Sequence, residues 1–149
     1  MDIKFRKLDY TKDIDDVCRW HKDHVAINFP DSKYKRNLFA DSVRIESTNT
    51  LSEMIIITEG EYKIGFLWLK TMWDRFKDEN YCDLHYIHLI PEYRGKGLGQ
   101  KLLSHAEKWA KKHDCKEIRL GTAADNEAAV SAYTKAGYIT KRVIMEKVL

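Results

Sequence analysis

The sequence predicts a mixed α/β (α+β) domain, with helices layered on a central sheet. Three observations carry this. Short β-rich runs alternate with amphipathic helical runs along the chain. The run Met54-Ile55-Ile56-Ile57 is β-rich and reads as a buried strand. A glycine-rich loop, Arg94-Gly95-Lys96-Gly97-Leu98-Gly99, sits between a β-rich run and a long amphipathic one.

The elements follow in order. Ile3 to Leu8 alternates apolar and basic residues and reads as a first strand. Thr11 to His24 carries Ile14, Val17, Cys18 and His21 at helical spacing, with Thr11 or Asp13 as its cap. Asn28-Phe29-Pro30-Asp31 ends that helix. Lys35 to Thr48 is a second helix, with Leu38, Phe39, Val43 and Ile45 as its apolar residues. The Met54 run and Tyr62 to Trp73 form a hairpin around Glu59-Gly60-Glu61. Arg75 to Asn80 is a polar loop, and Cys82 to Ile90 is the next strand. Gly97 to His113 is amphipathic, with Leu98, Leu102, Ala106, Trp109 and Ala110 on one face. A short strand, Ile118 to Thr122, precedes a helix over Glu127 to Ala136, capped by Asp125 or Asn126 and stopped by Gly137. Tyr138 to Val148 is a final extended segment.

Composition narrows the function. With 44% hydrophobic and 33% charged residues over 149, the chain is globular, and residues 1–149 read as one domain without linker or repeat. A net charge of +3 does not point to nucleic acid, and Lys108, Lys111 and Lys112 read as the solvated side of a helix. Cys18, Cys82 and Cys115 lack the spacing of a disulfide framework or a zinc site, which fits a reducing cytoplasm. The start, MDIKFRKLDY, has no apolar core of a signal peptide, and no run suits a membrane span.

The chemistry concentrates in Ile87 to Gln100, IHLIPEYRGKGLGQ. Glycines let a backbone approach a ligand and aim successive N–H groups at it, and a helix start adds partial positive charge. Together they suit a phosphate or pyrophosphate, with Arg94 and Lys96 charging the rim. Two other phosphate loops fail. Lys96 is followed by Gly97 rather than the Ser or Thr of a P-loop. The glycines read G-x-G-x-G, not the dinucleotide G-x-G-x-x-G.

What remains is R-x-x-G-x-G at Arg94, Gly97 and Gly99. The phrase PEYRGKGLG resembles the coenzyme A signature of the GNAT superfamily of N-acetyltransferases. A second segment, NEAAVSAYTKAGY, is similar to that family's later motif at Asn126, Tyr133, Gly137 and Tyr138. The likeness runs over nearly the whole chain and is weakest before residue 54.

The resemblance implies a mostly antiparallel sheet of six to seven strands, about four flanking helices, and a splayed central strand pair. It implies acetyl-CoA as cofactor, held by Leu89, Ile90, the backbone of Arg94, Gly95, Lys96, Gly97, Leu98 and Gly99, and by Asn126 and Tyr133. The Leu89 N–H would polarise the thioester carbonyl, and Tyr133 would protonate the leaving thiolate. The acceptor is expected to be an amine, with a small molecule favoured over a protein N-terminus or lysine. A non-catalytic acyl-CoA sensor is the rival of another class. The resemblance also leaves room for a homodimer.

The general base is less well marked. His85, six residues before Pro91, is the favoured candidate, with a water relay as its rival. His88 is expected on the opposite strand face, so the two histidines would not share a metal ion, and no metal is expected. Cys82 is the weaker candidate for a covalent route. The acceptor site is expected among the first two helices, the Phe29-Pro30 loop, and strands bearing Trp68 and Trp73, with Asp31, Asp41 and the 74–79 loop supplying acid for a cationic amine.

Overall fold

The computed structural model spans Met1–Leu149. Its elements are β1 (Ile3–Lys7), α1 (Tyr10–Asn28), α2 (Arg36–Glu46), β2 (Ser52–Glu59), β3 (Tyr62–Asp74), β4 (Glu79–Leu89), α3 (Leu98–Lys112), β5 (Glu117–Arg119) and α4 (Glu127–Lys135). One 3₁₀ turn, Pro91–Tyr93, lies between β4 and α3.

The sheet order is β1-β2-β3-β4-β5. The first four strands form an antiparallel meander, and β5 joins β4 in parallel over only three residues. The sheet therefore has five strands, not six to seven. The shortfall is at the C-terminus: residues 138–149 form no strand, although their composition is β-rich. No backbone hydrogen bond reaches any residue beyond Tyr138.

Alternation along the strands builds two cores. Ile55, Ile57, Leu67, Leu69 and Leu84 meet Leu98, Leu102, Leu103, Ala106, Trp109 and Ala110 of α3 on one face. Met54, Ile56, Phe66 and Trp68 meet Val17 and Trp20 of α1 and Val43 of α2 on the other. This explains the continuous apolar run in β2, which is covered on both sides. In α2, by contrast, only Val43 is fully buried, while Leu38 and Ile45 are exposed.

The cap of α1 is Asp9, whose side chain accepts from the Lys12 N–H, rather than Thr11 or Asp13. Asp13 is instead fully buried. Its carboxylate accepts from Arg6 at 2.7 and 2.8 Å and from the Asp9 N–H at 2.8 Å, and pairs with Lys63 at 3.0 Å. Burial alone would raise the Asp13 pKa, but these bonds, led by Arg6, bring it down to about 2. The network pins α1 to β1 and β3.

A candidate cofactor cleft between diverging strands

The central strands part where the sequence motif begins. Pairing of β5 with β4 ends at Asp83 and Arg119, so β4 from Leu84 to Leu89 has no neighbour on that side. The Ile90 N–H donates to the Ile64 carbonyl at 2.9 Å, toward β3. Successive residues of a strand point their backbone groups to opposite edges, so Leu89 and Ile87 aim theirs at the open gap. The Leu89 carbonyl accepts there from Arg94 Nε at 2.8 Å.

Close packing holds this strand end. Gly65 lies opposite Leu89 in the β3/β4 register. A Cβ on Gly65 would fall 2.5 Å from the His88 carbonyl oxygen. Only glycine allows β3 so near to β4 at that point. Nothing local in the sequence distinguishes Gly65 from an ordinary strand glycine.

The loop from Arg94 to Gly99 leaves the end of β4 and opens α3. Gly95 and Gly97 have φ of +71° and +78°, a region that side chains other than glycine's enter at a cost. Gly97 is the residue that caps α3, so the free N–H groups of the first helical turn sit beside this loop. Nothing lies within 4 Å of the Cβ positions at Gly95, Gly97 and Gly99. Open space, free donors and the positive helix end fit a pyrophosphate. Lys96 leans over the Tyr93 ring at 5.4 Å, and Tyr93 donates to Glu59, which holds the outer wall.

The second motif comes alongside. Asn126 caps α4 by accepting from the Ala129 N–H at 3.1 Å. Gln100 on α3 reaches the Ala132 carbonyl at 3.3 Å and ties the two helices. Tyr133 packs against the same core cluster as Leu89 and Ile90. Burial raises its pKa above the usual tyrosine range, so it holds its proton.

His85 is placed differently from the expectation. The β3/β4 register shifts between Trp68 and Leu69, which leaves His85 as an extra residue on β4. The bulge resets the alternation. His85 lies edge-on to Trp68 at 4.7 Å, and His88 stacks on Trp20 at 5.3 Å. Both tryptophans belong to the core on the α1/α2 face, so the two histidines share that face rather than opposing each other. His85 is exposed, and its Nδ1 is 3.1 Å from Asp83 Oδ2. His88 is half-buried, with its Nε2 shut off from solvent and unpartnered, and desolvation, then Arg94, pull its pKa down to about 4. No group of His, Cys, Asp or Glu is arranged to hold a metal. Cys82 is fully buried, and burial pushes its thiol up to about 12, which suits packing rather than attack.

A second cleft of about 440 Å³ opens on the α1/α2 face. His21, Phe29, Tyr34, Leu38 and Phe39 line it, with Lys33 and Lys35. His21 stacks on Phe39 at 3.7 Å and approaches Tyr86 of β4 at 5.9 Å. Its expected acidic wall is absent, because no carboxylate lines this cleft. Asp74 is buried and bonded to Arg119 and to the Phe76 and Lys77 N–H groups. Trp68 is buried and bonded to Ser52, while Trp73 pairs with Asn80 at the sheet end remote from Leu89.

Comparison with known proteins bears on this arrangement. The acetyltransferase (GNAT) family matches residues 14–138. The chain belongs to this family. Acetyl-CoA is the family's acetyl donor, and the glycine loop and strand gap fit it. Mycothiol acetyltransferase of Corynebacterium efficiens is 29% identical over 98 residues, 64% of this chain but 31% of that protein. The chain thus spans about a third of the length of that relative. Among solved folds, an aminoglycoside antibiotic 6'-N-acetyltransferase from Acinetobacter baumannii aligns over 99% of this chain and 98% of its own, with TM-score 0.77 and 19% identity. A structure of AAC(6')-Iy in complex with a bisubstrate analogue of CoA aligns over 100% and 99%, with TM-score 0.81 and 15% identity. These two similarities concern the fold. No helix of this GNAT chain is long and apolar enough to cross a membrane.

Proposed function

We propose that the chain moves the acetyl group of acetyl-CoA directly to a primary amine of a small molecule, with both substrates bound together. The observation that carries this is the meeting of the open β4 edge at Leu89 with the glycine loop at the start of α3. Acetyl-CoA supplies the activated thioester. The Arg94 to Gly99 backbone would hold its pyrophosphate, with Ile90 and Asn126 along the pantetheine arm. The Leu89 N–H donates to the thioester oxygen as negative charge develops, and the Ile87 N–H faces the same gap. The amine nitrogen bonds to the carbonyl carbon as the C–S bond breaks. His85, steadied by Asp83, takes the proton from the amine, directly or through water. Tyr133 gives its proton to the departing thiolate.

The aromatic and aliphatic lining of the second cleft supports an acceptor whose amine sits on an apolar or aromatic frame. Lys33 and Lys35 at its rim disfavour a polycation. Relatives named for mycothiol and for an aminoglycoside favour a small acceptor over a protein one. A cytoplasmic setting agrees with three free cysteines.

The test is calorimetric titration with acetyl-CoA, with desulfo-CoA and ATP as controls, followed by thiol release across an amine panel. Binding of acetyl-CoA and desulfo-CoA without ATP, plus turnover with aromatic amines, is the expected result. No acetyl-CoA binding would overturn the reading. Binding without turnover on any amine, peptide or lysine would leave a sensor.

A further inference from the structure

Charge is sorted unevenly around the cleft on the α1/α2 face. Asp15 pairs with Arg36 at 2.6 Å, and Asp41 pairs with Arg44 at 3.3 Å. Asp23 and Asp31 lie outside the lining. Lys33 and Lys35 are part of it, and neither forms an ion pair. The segment that carries them is fixed at two points. Tyr34, between the two lysines, donates its hydroxyl to the Cys18 carbonyl at 3.0 Å, and Arg36 is tied to Asp15. The histidines leave this charge unopposed. Burial lowers the pKa of His21 and of His24, so both are neutral near pH 7.

Between the lysines and the sheet the walls are apolar. Phe29 and Leu38 line the cleft and are 56% and 65% exposed, area that a flat ligand would cover. A volume of about 440 Å³ suits one small organic molecule. The route to the strand end is marked by polar groups. His21 lies 5.9 Å from the Tyr86 ring, and His21 Nδ1 and the Tyr86 hydroxyl are both shut off from solvent without a partner. These atoms keep free hydrogen-bonding capacity. Leu89 is three residues beyond Tyr86 on β4, about 10 Å along a strand. An occupant of this cleft whose amine reaches Leu89 is therefore long, apolar in the middle, and negative at the end that meets the lysines.

We propose that the acceptor carries its amine at one end of a flat apolar frame and an anionic group, a carboxylate or a phosphate, at the other, with the anion held by Lys33 and Lys35. The inference rests on the acetyl-transfer reading above and adds the charge and length of the acceptor to it. Two fixed cations with no carboxylate beside them attract an anion and repel a polycation. An ordinary α-amino acid, with both groups on one carbon, does not span the distance from the lysines to Leu89.

Matched probes test this on the full chain loaded with coenzyme A, by calorimetry, and with acetyl-CoA, by thiol release. The probes are para-(aminomethyl)benzoate, its biphenyl homologue, the phosphonate analogue of that homologue, and the uncharged carboxamide of each carboxylate. The anionic biphenyl probes should bind about tenfold more tightly than the carboxamide, the range for two exposed ion pairs, and added sodium chloride should erase the difference. Lys33→Ala with Lys35→Ala should remove that preference and leave carboxamide binding within about twofold, whereas Lys33→Arg with Lys35→Arg should keep it. Either order of carboxylate and phosphonate supports the proposal and tells which anion is preferred. Equal binding of carboxylate and carboxamide would overturn it, as would a preference that survives the loss of both lysines. Turnover of the carboxamide without any anion preference would sink this inference and keep acetyl transfer. Lysine-dependent binding of the anions with no turnover of any amine would do the reverse.

Discussion

Gly65 faces Leu89 across the β3/β4 ladder so closely that a single added carbon would touch the His88 carbonyl. The strand end that bears the Leu89 N–H is therefore set by a residue on the neighbouring strand. Gly65→Ala should push β4 outward at this point. We expect a loss of about 1–3 kcal/mol in stability, the usual range for overpacking, and a larger relative fall in turnover than in acetyl-CoA affinity. Urea unfolding and steady-state kinetics on one preparation measure both; unchanged values would show that the ladder yields freely.

Gly97→Glu tests the glycine loop. Its φ of +78° disfavours any side chain, and the new carboxylate would stand at the start of α3, where an anionic ligand is expected. Acetyl-CoA affinity should fall at least about 100-fold, since both strain and repulsion oppose binding. Calorimetry decides it, and retained affinity would remove the pyrophosphate from this loop.

Tyr133→Phe removes one hydroxyl from a position whose ring packs, partly buried, against the core. Turnover should drop on the order of 10²-fold, the lower range for a lost general acid, with acetyl-CoA affinity within about threefold of wild type. Because burial raises the Tyr133 pKa, wild-type turnover should show no loss from this group between pH 7 and 9. Equal turnover in the mutant would end the assignment.

Asp13→Ala leaves Arg6 and Lys63 without their shared buried carboxylate. Because Arg6 and Lys63 stay partly exposed and Lys63 keeps Asp16 at 2.8 Å, the lost bonds cost about 1–3 kcal/mol. Urea unfolding should show a clear drop in midpoint, and a change under 1 kcal/mol would mean that water replaces the carboxylate.

Acid should destabilise the fold in two stages. The folded pKa of His88 is depressed to about 4 by burial, against about 6.5 in an unfolded chain. The unfolded state then binds the extra proton, so stability falls as pH drops from 6.5 to 4. Asp13, depressed to about 2, adds a further loss below about 3.8. His88→Gln should make the first stage shallower, leaving the share of His21, His24 and His105, which burial also lowers, and should leave the second stage unchanged; thermal melts at half-unit pH steps would resolve both.

Local chemistry made much of this legible from the sequence. The glycine loop, the face of α3 that meets the sheet, and the Asn126 cap each depend on residues within one or two turns of each other. What escaped notice depends on distant parts of the chain. The bulge at His85 is one inserted residue, invisible to an alternation count that assumes strict pairing, and it reversed the relation of His85 to His88. Gly65 matters only because Leu89 lies opposite. Asp13 looked like a cap, and became a buried anchor because Arg6 and Lys63 arrive from two strands. Trp73 seemed near the acceptor site until the hairpin register carried it to the other end of the sheet.

The meander has a consequence for the order in which the protein forms. Strands β1 to β4 are neighbours in space in the same order as in sequence, apart from the two helices between β1 and β2. The hairpins of β2, β3 and β4 close short loops and form early, whereas β5 must come back past a fifteen-residue helix to win a three-residue ladder. That three-pair ladder is the shortest in the sheet, and it borders the gap at Leu89. The cleft is thus walled on one side by the least anchored strand of the sheet, the part of the fold most open to local unfolding.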